Sequence, residues 1–69
     1  MIIYSIFKND ELIWARNFIT RNNDEAKLML ENTIKDIEKN KNVNGINFDG
    51  NKLEFNSYDE KHIMMIKEE

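Results

Sequence analysis

The residues with the most chemistry to offer are His62, the chain's one histidine, and the two carboxylates just before it, Asp59 and Glu60. Read as DEKH, they suggest a metal site. A protein-held metal needs at least three convergent ligands held by an outer shell of hydrogen bonds, and this spacing matches no ligand signature. The expectation is a partly exposed strand histidine beside solvated turn carboxylates. The hydroxyls are Ser5, Ser57, Thr20, Thr33 and two tyrosines, and none lies between the glycines that a nucleophile elbow requires. Phosphate-cradling loops need clustered glycines, whereas Gly45 and Gly50 stand apart in turn contexts. Asp10 and Glu11 are adjacent carboxylates in a turn, where water hydrates them. No catalytic residue, metal ligand set or cofactor is therefore expected, and the chain reads as a binder rather than an enzyme.

Size points the same way. The 69 residues make one domain, 1–69, too short to enclose a deep catalytic cavity, because such a chain buries only about 60% of its unfolded surface. A site on the surface is favoured. There is no cysteine, which excludes disulfides and thiolate metal cages. No apolar run approaches the roughly 20 residues that span a bilayer, and no signal-peptide pattern opens the chain, so a soluble cytoplasmic protein is expected. Ten basic and thirteen acidic residues give a net charge of −3. No basic stripe exists to neutralise a run of phosphates, which counts against nucleic acid as a partner.

The elements that must position any site follow from periodicity. Residues 2–7 and 11–19 alternate as two strands rich in Ile, Tyr, Phe and Trp, with the polar KNDE as their turn. With Asn9 and Asp10 as the loop, Phe7 pairs with Leu12, Ile6 with Ile13, Ser5 with Trp14 and Tyr4 with Ala15. Ala26, Met29, Leu30, Thr33, Ile34 and Ile37 form a stripe at helical spacing, behind an Asn22 or Asn23 cap and the first-turn acids Asp24 and Glu25. A helix over about 23–40 is predicted. In GINFDGNKLEF, Asp49 and Gly50 between alternating runs predict a second hairpin with Phe48 opposite Asn51 and Ile46 opposite Leu53. Its apolar face is Ile46, Phe48, Leu53 and Phe55; Asn47, Lys52, Glu54 and Asn56 make a wet one. HIMMI, residues 62–66, is a last strand with an exposed edge. The order is ββαβββ, an α+β domain with one mainly antiparallel sheet and one helix packed on one face.

The opening hairpin is apolar on both faces, and one helix covers only one. The pairing above assigns Tyr4, Ile6, Ile13 and Ala15 to the covered side and leaves Phe7, Leu12, Trp14, Arg16 and Phe18 outside. Those five residues are the candidate partner-binding surface, since Trp and Arg are enriched among interface hot spots. The occupant would be another protein or a second copy of the chain in a homodimer. A base-stacking platform for single-stranded nucleic acid is a weaker alternative, because few basic residues surround the rings.

The FKND turn at Phe7–Asp10 and the helix-to-hairpin passage from Asp24 to Phe55, in a short chain rich in Asn, Lys and Ile, resemble the small early accessory proteins of T-even-like phages, with the Dmd-type antitoxins nearest. The likeness is one of arrangement and composition, so no functional residue carries over. It implies a non-enzymatic inhibitor that occupies a protein of the host cell. The opening MIIYSIF is also similar to the first strand of longin-type trafficking domains, although the two helices expected after that sheet have no counterpart here.

Overall fold

The computed structural model describes residues 1–68. Five strands and one helix follow in the order β1 (Ile2–Lys8), β2 (Glu11–Phe18), α1 (Asn23–Ile37), β3 (Val43–Phe48), β4 (Lys52–Ser57) and β5 (Glu60–Ile66). The strands form one antiparallel sheet, ordered β2-β1-β5-β4-β3. The expected ββαβββ α+β architecture is present. β5 is the central strand, paired with β1 on one side and β4 on the other, so HIMMI offers no free edge. The sheet's edges are β2 and β3, and α1 is the crossover that links them.

Local chemistry sets the boundaries. Asn9 and Asp10 have φ of 52° and 63°, the double positive φ of a type I′ turn, and Lys8 pairs with Glu11 around them. Asn22 caps α1 by accepting the Glu25 N–H at 2.9 Å, while the Glu25 carboxylate accepts the Arg21 N–H at 3.1 Å. The helix stops at Ile37, three residues short of the expected end. Asn40 accepts the Asn42 N–H at 2.9 Å, and its own N–H donates to the Ile37 carbonyl, a local turn that competes with another helical turn.

The second hairpin has a wider loop than expected. Asp49 Oδ1 accepts the N–H groups of both Asn51 and Lys52, at 2.9 and 2.8 Å, which pulls these residues into the turn. Phe48 therefore pairs with Leu53 rather than with Asn51. The shift is two residues, so Phe48, Leu53 and Phe55 keep the inner face, whereas an irregularity between Asn44 and Asn47, with Gly45 at φ +63°, reverses β3 beyond it: Val43 borders the core and Ile46, expected inside, is exposed.

α1 lies on one face of the sheet. Ala26 and Leu30 from the helix meet Ile2, Leu53, Phe55 and Met64 from the strands in a buried core, bordered by Tyr4, Phe18, Ile34, Ile37, Val43, Phe48 and Ile66. Met29 and Leu28 stay exposed. The shortest principal extent, 16 Å, accommodates these two layers and no third. The opposite face of the sheet is uncovered among the described residues.

Candidate interaction surface

One extra residue decides what the uncovered face contains. β1 and β2 run in register from the turn through Phe7↔Leu12, and the next pair is Ile6↔Trp14, which leaves Ile13 as the additional residue of a β-bulge. Beyond it every β2 side chain lies on the face opposite to the one expected from regular pairing. Ile6, Tyr4 and Ile2 lie on the helix side, and their partners Trp14, Arg16 and Phe18 lie there with them. Ala15, paired with Ser5, lies on the outer face. The five candidate residues are thus divided: Phe7 and Leu12 are outside as expected, whereas Trp14, Arg16 and Phe18 are on the helix side.

Contacts hold the three relocated residues where the bulge puts them. The Trp14 ring meets Tyr4 edge-on with centroids 5.3 Å apart, Tyr4 also touches Phe18 at 6.5 Å, and the Arg16 guanidinium lies 5.4 Å from the Phe18 ring centre. The helix does not extend over this end of the sheet, and Trp14 keeps 41% of its surface exposed.

The outer face is apolar over half its width. Ile3 lies between Asn17 and Met65, Ser5 between Ala15 and Ile63, and Phe7 between Leu12 and Lys61. Ile3, Phe7, Leu12, Ile63 and Met65 thereby form a continuous patch across β2, β1 and β5. Leu12 at 54% and Met65 at 43% are its most exposed members. Over β4 the face turns charged: the Glu54 carboxylate meets Lys52 at 2.9 Å and Lys61 at 3.7 Å, and the Lys52 hydrogen bond holds its carboxyl below the ordinary range. At the turn end an open hollow lies where Phe7 and Ile63 meet Asp10, Asp59 and Lys61. An apolar floor with charged groups at one border is the usual make-up of a recognition surface.

His62 differs from its expected surroundings. It lies on the helix side in β5, its Nδ1 2.6 Å from the Tyr4 hydroxyl and its ring stacked on Phe55 at 4.8 Å. Its Nε2 is buried without a hydrogen-bond partner, and the Glu60 carboxylate stands 3.9 Å away. Burial pushes the His62 pKa down, which the Glu60 charge partly offsets, and burial pushes the Tyr4 pKa up. Both shifts favour the neutral forms, and the pair works as an internal hydrogen bond beside the core. A histidine whose folded pKa is depressed takes up its proton more readily in the unfolded chain, so its contribution is full above the ordinary value of about 6.5 and is lost as pH falls from there through the folded value. Thermal melts at pH 7.5 and 5.5 are expected to show lower stability at the acidic value, and His62→Gln is expected to narrow that gap.

No group of three or more His, Cys, Asp or Glu residues among those described could hold a metal ion. No helix of the described residues is long and apolar enough to cross a membrane. No family model matches the chain, and neither a curated protein nor a solved structure does.

Proposed function

We propose that the chain is a non-enzymatic protein-binding module that engages another protein through its outer sheet face, with Phe7 and Leu12 at the centre and Ile3, Ile63 and Met65 around them. The observation that carries this reading is the continuous apolar patch on a sheet face that no helix covers. Burying apolar surface is worth about 25 cal/mol per Å², and small monomers seldom leave a connected patch of this kind in water. Lys52, Lys61 and Glu54 along its border would fix the orientation of a partner. The resemblance of the FKND turn and the helix-to-hairpin passage to small early phage proteins favours an inhibitor that acts by occupying a host protein in the cytoplasm. Trp14, Arg16 and Phe18 are not part of this surface.

A photo-reactive amino acid placed at Leu12, and separately at Leu28 on the exposed helix surface, tests the reading in the cells that naturally express the chain. A discrete product with another protein is expected from position 12 and not from position 28. Equal products from both positions, or none from position 12, would overturn it.

A further inference from the structure

β2 is an edge strand eight residues long, with exposed apolar side chains on both of its faces. Edges of this kind are normally blunted, and β2 carries a bulge at Ile13 and two charges, Glu11 and Arg16. The bulge also gives the strand an unusual symmetry. Glu11 pairs with Lys8 and Arg16 with Tyr4, so both lie on the helix side; Leu12 and Ala15 pair with Phe7 and Ser5, so both lie outside. In a regular strand, residues five apart, and residues three apart, would lie on opposite faces. The extra residue makes the segment Glu11–Arg16 match end to end about a point between Ile13 and Trp14: charge, apolar, the two bulge residues, apolar, opposite charge.

The free backbone groups fit this symmetry. Lys8 and Glu11 flank a two-residue turn and form the narrow hydrogen-bonded pair, so Leu12 is in a non-bonded pair with its N–H and C=O turned away from β1. Counting through the bulge gives Ala15 the same status. Among the described residues, neither Glu11 nor Arg16 has an ion-pair partner within the chain.

We propose that two copies of this chain join through their β2 edges, antiparallel, about a two-fold axis normal to the sheet that passes through the bulge. Leu12 of each copy then exchanges both backbone hydrogen bonds with the partner's Ala15, and Glu11 stands opposite the partner's Arg16, twice, by symmetry. Opposite charges directly across a strand pair are favourable, and like charges there are unfavourable. The bulge selects the occupant: an ordinary strand would lose register at Ile13, whereas a second β2 carries the same extra residue at the same place. The product is a ten-stranded sheet with both helices on one side. Its two apolar outer patches become one, because Leu12 and Ala15 abut across the axis. This inference does not rest on the proposed binding of another protein.

Sedimentation equilibrium tests it with charge reversals. The unmodified chain should approach twice its monomer mass as concentration rises. Glu11→Arg alone and Arg16→Glu alone, each placing like charges opposite one another, should weaken association at least tenfold, and the double reversal should restore it. An unmodified chain that stays monomeric at millimolar concentration would overturn the proposal, as would association indifferent to the single reversals or not recovered by the double one. A second readout needs no variant. In a mixture of ¹³C-labelled and unlabelled chains, intermolecular NOEs should connect the Leu12 methyls with the Ala15 methyl, and a dimer without them contradicts the β2 geometry. The photo-crosslinking outcome above stands or falls separately, since it reads products with another protein.

Discussion

Leu53→Ala is expected to destabilise the domain by about 2–5 kcal/mol, the usual cost of emptying a fully buried leucine site. Leu53 has no exposed surface, sits in β4 between Phe48 and Met64, and lies in the same core as Leu30 of the helix. A chain of this size has little stability in reserve; at about 0.05–0.15 kcal/mol per residue the whole fold is worth only about 3–10 kcal/mol. One such cavity therefore removes much of it. For a domain of 60–100 residues each kcal/mol moves the melting temperature by about 4–8 °C, so a fall of at least 8 °C is expected by circular dichroism. Leu28→Ala is the control, because Leu28 is on the exposed side of α1 and its truncation should change stability by less than about 0.5 kcal/mol.

Trp14→Ala is expected to weaken the fold and leave the outer face intact, the reverse of what regular hairpin pairing implies. Trp14 packs edge-on against Tyr4, which in turn hydrogen-bonds His62, so the indole supports an internal group. An edge-to-face aromatic pair contributes about 0.5–1.5 kcal/mol beyond the area it buries. With 41% of the residue exposed, the total loss should be about 1–3 kcal/mol, below that of a fully buried tryptophan. The variant should lower the melting temperature and shift the Tyr4 and His62 ring resonances. Crosslinks from Leu12 to another protein should persist in it.

These two residues mark how far the sequence could be read. Leu53 was legible because a one-sided hairpin states its own inner face: Leu53 and Phe55 alternate with Lys52, Glu54 and Asn56, and a two-residue error in loop length leaves that parity unchanged. The helix is legible from its stripe and from the asparagine pair before it, of which Asn22 is the cap, and its end differs only where asparagines form their own turn. Trp14 was not legible. The first hairpin is apolar on both faces, so polarity could not report which side chains point inward, and a bulge adds a residue without leaving any mark in composition. Register errors there reverse every residue beyond the bulge, which is why Phe7 and Leu12 kept their place and Trp14, Arg16 and Phe18 exchanged faces. The edge assigned to HIMMI failed for a related reason. A strand apolar on both faces fits the middle of a sheet as well as its border, and the pairing with β1 is a contact between the two ends of the chain.

The bulge at Ile13 thus determines both the outer patch and the symmetry of the β2 edge. Side-chain NOEs of Trp14 in the uniformly labelled chain test it most directly. Strong cross-peaks from the indole to Tyr4 and Ile6, with none to Ile3 or Ile63, are the expected result. Indole cross-peaks to Ile3 or Ile63 would place Trp14 on the outer face, contradicting both the assigned interaction surface and the two-fold β2 pairing.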